Sequence, residues 1–353
     1  MNSILVQAAR SYEVLIERGV LNRVGELTLG VHGPCKAGII TDDIVDKLYG
    51  DSVAASFEGA GFDVCRFVFQ NGELSKNLPT YERILDFLAD SDITRGDIIV
   101  ALGGGVVGDI AGFAAASYLR GVDFIQVPTT YLAAVDSSVG GKTGLNLRSG
   151  KNLCGAFYQP LLVAVDSDTF KTLPKERFAD GIAETIKYGV IADAELFEIM
   201  ETGITDECVD DIISRCVQIK ARFVAEDEFD NGARRLLNFG HTFGHAIERL
   251  SDYSITHGYA VGIGMLMAAR AARIMGLCDK DVESRIKNVL EKYKLPREVN
   301  YDATDLANTM LGDKKRKGGT LSLILPERIG LCKVNDMPIS ELSGIVTQVC
   351  EED

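Results

Sequence analysis

The chain has 353 residues, 46% hydrophobic and 25% charged, the balance of a globular protein with room for about two domains and a self-sufficient core. Its net charge of −14 excludes a broad nucleic-acid footprint, which needs a basic face, but leaves room for a small anion held by a local cluster of lysines and arginines. No run of roughly 18 apolar residues marks a membrane span, so no membrane partner is expected.

Residues 1–175 read as alternating strands and helices. β-rich runs recur at 37–40, 62–69, 97–102, 124–127 and 161–165, with helical patterns at 81–89 and 110–117 between them. Such alternation implies parallel pairing in an α/β domain. After Leu173-Pro174 the pattern changes. Long helical runs with few β-branched residues follow at 178–191, 209–226, 240–250 and 258–275, and one strand-like run returns at 319–325. The expected domains are therefore 1–175 and 176–353. The eight cysteines are scattered without a C-x-x-C pair, and no charged segment followed by a long apolar one opens the chain. Reduced thiols in a cytoplasmic protein without a signal peptide are expected.

The segment Asp97-Ile-Ile-Val-Ala-Leu-Gly-Gly-Gly-Val-Val-Gly-Asp is a buried strand entering a glycine turn and then a helix. Glycine lets a backbone approach a ligand closely, and a helix N-terminus offers N–H groups to phosphate. Gly103, Gly105 and Gly108 satisfy G-x-G-x-x-G, but the acidic residue of a dinucleotide fingerprint is not well matched, since Asp123 precedes its strand. Tight packing at a strand-to-helix turn accounts for the same glycines.

A second glycine segment, Val135 to Thr143, ends like a Walker A loop, yet Asp136 stands where that loop needs glycine. What remains is a flexible loop presenting Lys142, with Lys151 and Asn152 close behind. Lysines among glycines can hold a phosphate; a solvated surface loop is the plainer alternative.

Three of the four histidines, His241, His245 and His257, fall within a short stretch. His241 and His245 share one face of a helix, and imidazoles with an open position suit a zinc-like metal. H-T-F-G-H lacks the glutamate of the metalloprotease helix. Glu184 is a candidate carboxylate ligand from an earlier helix, with Lys187 one turn on. Spacing alone leaves open which histidines would ligate and which would move protons. Of the basic residues in this half, Arg234, with Asn238 four positions on, leads into His241.

Together these segments resemble the 3-dehydroquinate synthase family. The similarity runs from about Gly72 to Gly330 and includes GGGVVGDIAGFAAASYLRGVDFIQVPTTYLAAVDSSVGGKTGLN, GKNLCGAFYQP, GIAETIKYG, LLNFGHTFGHAIE and HGYAVGIGM, in family order. The resemblance implies an α/β Rossmann-like N-terminal domain and an all-α C-terminal domain, with the active site between them. It implies Glu184, His241 and His257 as ligands of Zn2+ or Co2+, leaving His245 to contact substrate. NAD would be held by Asp42, Glu73, Lys76, the turn Gly104, Gly105, Val106, Gly108 and Asp109, then Thr129, Thr130, Lys142, Lys151, Phe170, Lys171, Thr172 and Leu173. Substrate contacts would come from Asp136, Lys142, Lys151, Asn152, Lys187, Lys220, Arg234 and Asn238, with Lys314 or Lys315 completing the anion pocket. Arg120 would reach into the neighbouring subunit of a homodimer. Asp230 stands where the family commonly has a glutamate that accepts a proton; it keeps the carboxylate and shortens its reach.

The implied substrate is a small sugar phosphate, 3-deoxy-D-arabino-heptulosonate 7-phosphate. The implied chemistry is transient oxidation by NAD, phosphate elimination, reduction and aldol closure. Sister cyclases making 2-deoxy-scyllo-inosose or 2-epi-5-epi-valiolone share the metal and NAD residues, and a metal-dependent polyol dehydrogenase is the more distant alternative.

Overall fold

The structure is a computed structural model that describes residues 2–230, 232–298, 301–312 and 319–352. Lys314 and Lys315 lie outside the described residues. Two compact units form: Met1–Pro174 with Val209–Phe229, and Lys175–Cys208 with Asp230–Asp353.

Unit 1 is built on a seven-stranded sheet in the order β1-β2-β9-β6-β5-β3-β4. The strands are β1 (Asn2–Val6), β2 (Tyr12–Ile16), β3 (Lys36–Asp42), β4 (Asp63–Phe69), β5 (Ile98–Gly103), β6 (Asp123–Pro128) and β9 (Leu162–Val165). β7 (Lys142–Leu147) and β8 (Gly150–Phe157) form a separate hairpin. Only β1 runs antiparallel to its neighbour in the large sheet. Unit 1 also holds helices α1 (Val24–Thr28), α2 (Asp43–Val45), α3 (Asp51–Gly59), α4 (Leu78–Asp90) and α5 (Gly105–Ser117).

The continuous apolar run of β5 follows from burial on both faces. Ile98, Val100 and Leu102 join Val24, Val53 and Phe57 in one core. Ile99 and Ala101 join Ile84, Leu88, Ile110 and Ala114 in the other. Each buried Val, Leu, Ile or Phe here contributes about 1.5–3 kcal/mol on burial. Asp97 ties the amino ends of two strands: it accepts from the Lys36 amide at 2.9 Å and from the Thr94 amide and hydroxyl at 2.7 Å each. Strand direction reverses its march across the sheet between β3 and β5, and ligands of open α/β sheets bind at the carboxyl ends beside such a switch.

After α6 (Lys175–Ala192) and α7 (Ala194–Thr202), which open unit 2, the chain returns to unit 1 as α8 (Val209–Glu226). This corrects the expected domain limits. The apolar stripe of α8 packs on β1, β2 and the Ala133–Ser137 turn, so packing and not helical character assigns 209–229 to the α/β unit.

Unit 2 continues with α9 (His241–Leu250), α10 (His257–Ile274), α11 (Lys280–Lys292) and α12 (Ala303–Leu311), then β10 (Thr320–Arg328), β11 (Leu331–Pro338) and α13 (Ile339–Glu351). α10 is the central helix, packed by α6, α9, α11, α13 and β10, which is why it is apolar on all sides. The unit is helical, as expected, with one addition to the all-α description. The strand-like run at 319–325 opens an antiparallel hairpin with β11, and Leu321 and Leu323 to Pro326 are buried.

Candidate active site

The metal-ligating candidates converge within unit 2. Glu184 comes from the middle of α6, His241 from the first residue of α9 and His257 from the first residue of α10. α10 can approach α6 this closely because residue 258 is glycine: a Cβ there would lie 2.3 Å from the Asp180 Cα. Asp180 is buried and accepts the Gly258 amide at 3.2 Å, anchoring the start of α10.

Glu184 is only 1% exposed, and its Oε1 faces His241 Nε2 at 3.4 Å and His257 Nε2 at 3.3 Å. A tetrahedral ion with bonds of about 2.0–2.1 Å separates its ligand atoms by about 3.3 Å, and two imidazoles with a carboxylate are a common catalytic donor set. Glu184 Oε2 is ion-paired with Lys187, while Oε1 has no hydrogen-bond partner of ordinary geometry among the described residues, so a cation between the two imidazoles fits the demand of that oxygen. The ring of His241 is oriented by its Nδ1, which donates to the Phe239 carbonyl at 3.1 Å. That leaves Nε2 as the free lone pair. Glu248, also buried, faces His257 Nδ1 at 3.6 Å, so the ring stands between two carboxylates.

The ionisation of these groups follows from their packing. Burial works against the Glu184 carboxylate, but Lys187 and His241 outweigh it and hold the group well below the usual carboxylate range. Lys187 Nζ sits 2.5 Å from Glu184 Oε2. Burial lowers His241 to about 4. Burial acts the same way on His257, yet Glu184 and Glu248 reverse it and raise the group to about 10. His245 is exposed, with its ring 6.1 Å from that of His257, and belongs to a second cluster with Glu248 and His257. Sequence reasoning missed Glu248 and Asp180. Glu248 was within reach, since it follows His241 and His245 on the same helical stripe.

Elsewhere in unit 2, Arg234 is fully buried in the turn Ala233–Asn238. Its neighbour Arg235 points the other way, to Ser322 and Asp336 of the hairpin. Asn238 donates to the Arg235 carbonyl at 3.2 Å and closes the turn. Asp230 is half-buried at φ +59.

In unit 1 the expected cofactor residues gather at the carboxyl ends of the parallel strands. Asp42 ends β3 and caps α2 through the Ile44 and Val45 amides at 3.0 Å. Gly104 precedes α5 with no side-chain cap, leaving the helix N-terminus to other acceptors. Val106, Gly108 and Asp109 occupy the first turns. Part of the glycine pattern is packing: a Cβ at Gly104 would meet Thr130 at 2.8 Å, and one at Gly108 would meet Gln126 at 2.7 Å. Thr129 and Thr130 follow β6, and the buried Thr129 hydroxyl has no partner among the described residues. Phe170, Lys171, Thr172 and Leu173 follow β9, where Tyr49 bonds the Thr172 hydroxyl at 2.5 Å while Lys171 pairs with Asp168 at the surface.

Glu73 and Lys76 follow β4 and meet the second glycine segment. Lys76 is 5% exposed; its Nζ reaches Asp109 Oδ2 at 2.5 Å and Asn152 Oδ1 at 2.6 Å. Burial opposes its charge, but Asp109 and Glu73 outweigh it and raise its pKa. Lys142 opens β7, and Lys151 and Asn152 lie on β8. The expected flexible loop is therefore a hairpin, fixed by contact of the Gly144 and Gly155 backbones. Lys220 of α8 reaches Asp136 at 2.9 Å and also bonds its carbonyl at 2.7 Å. Arg120 is exposed at φ +67 in the turn Tyr118–Arg120.

Residues 66–180 match the family model described as 3-dehydroquinate synthase N-terminal, and residues 181–316 the one described as 3-dehydroquinate synthase C-terminal. A 3-dehydroquinate synthase of Prochlorococcus marinus is 43% identical over 339 residues, 93% of each chain. Among solved structures, a 2-deoxy-scyllo-inosose synthase complexed with carbaglucose-6-phosphate, NAD+ and Co2+ superposes with a TM-score of 0.88 at 27% identity, covering 98% of this chain and 100% of that one. The 2-epi-5-epi-valiolone synthase ValA of Streptomyces hygroscopicus, with NAD+ and Zn2+ bound, gives 0.88 at 26% identity over 98% of both chains. With both family models matched across most of its length, the chain belongs to the 3-dehydroquinate synthase family.

Proposed function

We propose that the chain converts 3-deoxy-D-arabino-heptulosonate 7-phosphate to 3-dehydroquinate and phosphate, with NAD and Zn2+ or Co2+ as cofactors. Family membership supports the reaction, and the observation that carries the metal-dependent reading is the convergence of two imidazoles on the buried Glu184 oxygen. NAD+ with Co2+ or Zn2+ in the two related cyclases supports the cofactors.

Glu184, His241 and His257 would hold the metal. Glu73, Lys76, Thr129 and the start of α5 would hold NAD. When bound, these groups supply reversible hydride transfer and polarisation of a substrate oxygen. The side chains supply the rest. Lys142, Lys151 and Asn152 bind the phosphate and stabilise the charge that grows as it leaves. Arg234, rigidly buried, grips the substrate carboxylate through two parallel bonds. Lys187 balances the charge of Glu184 at 2.5 Å. His245, Asn238, Asp136 and Lys220 orient hydroxyl groups, and Asp230 is the candidate proton acceptor.

In this reading the enzyme is a homodimer to which each subunit lends Arg120 across the interface. The strained turn that exposes Arg120, with Leu119 at φ +49 beside it, supports a role outside its own fold. Eight free cysteines support a reducing, cytoplasmic setting.

The test is incubation with the heptulosonate phosphate, NAD and Zn2+ or Co2+. Phosphate and 3-dehydroquinate are expected in equal amounts with no accumulation of NADH. Net NADH without phosphate would mark a polyol dehydrogenase instead, and no phosphate from this substrate would mark a sister cyclase.

A further inference from the structure

The β7–β8 hairpin is interrupted where it matters. Leu145 pairs with Cys154 and Leu147 with Gly150, so Asn146 alone stands opposite Lys151, Asn152 and Leu153. A bulge of this kind ends regular pairing and re-aims side chains. Asn152 adopts φ +53 within it, a left-handed conformation that asparagine tolerates better than most residues.

Asn146, freed from the ladder, bonds in three directions. Its amide N–H donates to the Lys76 carbonyl at 2.9 Å. Its side-chain Nδ2 donates to Glu73 Oε1 at 2.7 Å, and its Oδ1 accepts the Asn152 amide at 2.9 Å. Lys76 Nζ closes the ring on the Asn152 side chain at 2.6 Å. These bonds tie the bulge to the segment that carries Glu73 and Lys76.

We propose that Asn146 is a positioning residue that locks the bulge carrying Lys151 and Asn152 to the turn carrying Glu73 and Lys76, so that occupancy of one is felt at the other. The proposal rests on the reading that Glu73 and Lys76 hold NAD while Lys151 and Asn152 hold the sugar phosphate. A ligand that orders the Glu73 turn orders the bulge through the shared asparagine, and the coupling is reciprocal.

The experiment exchanges the amide and the carboxylate. At saturating NAD, Asn146→Asp of the metal-loaded enzyme is expected to raise KM for the heptulosonate phosphate about tenfold while kcat stays within about threefold. A carboxylate at 146 repels Glu73 and releases the bulge. Combining it with Glu73→Gln restores a donor–acceptor pair with the partners swapped, and KM is expected to return to within about threefold of Glu73→Gln alone. Calorimetric titration of NAD gives a readout independent of turnover: Asn146→Asp is expected to weaken NAD about fivefold. Unchanged KM and NAD affinity, a lowered melting temperature as the sole effect, or no recovery in the double variant each overturns the proposal. Should Asn146→Asp not fold, Asn146→Ala is read by the same KM and NAD criteria. Lys151→Met separates the two levels. A raised KM there with an unaltered Asn146→Asp sinks only the lock, whereas unchanged KM in Lys151→Met sinks the substrate reading of the bulge itself.

Discussion

His245 and His257 differ in what their ring nitrogens face. His257 turns Nε2 to Glu184 and Nδ1 to Glu248, whereas His245 is exposed. Truncating His257→Ala is expected to abolish bound metal and phosphate release together, read by elemental analysis and a phosphate assay. Glu248→Gln should leave the ligand in place but loosen its orientation, weakening metal about 10–100-fold in a chelator competition. The helical spacing of His241 and His245 was legible in the sequence. Spacing alone left their roles open; the family resemblance proposed His241 and His257 as ligands, and the fold adds that Glu184 of α6 faces those two rings.

Asp97 illustrates a residue whose value depends on pH. Burial works against its carboxylate, but the bonds from Thr94 and Lys36 outweigh it and lower its pKa. The folded value thus lies below the unfolded one of about 3.9. Its stabilisation is fully present above the unfolded value and is lost as pH falls through the folded one. Asp97→Asn is therefore expected to cost about 1–3 kcal/mol near neutrality. Denaturant titrations of the two proteins should begin to approach each other only below about pH 4.

At the scale of elements, the helix crossing at Gly258 sets the position of His257 in the proposed metal site. Gly258→Ala forces α10 off α6 and should cost about 1–3 kcal/mol. Metal affinity should fall with the melting temperature, since His257 moves with its helix. Retained affinity in a folded variant would show that α10 adjusts without shifting the ligand. The parallel strands β3, β4, β5, β6 and β9 were legible as β-rich runs. β7 and β8 were not, since their pairing rests on apposed glycines and polar side chains with no apolar alternation to announce it. The unit to which α8 belongs was equally hidden, because periodicity reveals a helix but not its packing partner.

At the scale of the whole molecule, the proposed dimer makes a distinctive prediction. Subunits carrying Arg120→Ala and subunits carrying His257→Ala should each be inactive alone. Mixed by co-expression, they should recover up to about a quarter of normal activity, since half the dimers are hybrids and each hybrid holds one intact site. Additive, near-zero activity in the mixture would assign Arg120 to its own subunit.

The interleaving of the chain between its two units bears on how it is made. Unit 1 is nearly spelled out by Pro174, but it is not closed until Val209–Phe229 has been added. At about 5–20 residues per second, the ribosome needs about 3–11 s to supply those roughly 55 residues. During that interval the growing chain holds the apolar face meant for α8 without its cover, with two helices of the other unit already emerging. Expression of residues 1–174 alone should yield a fragment that aggregates.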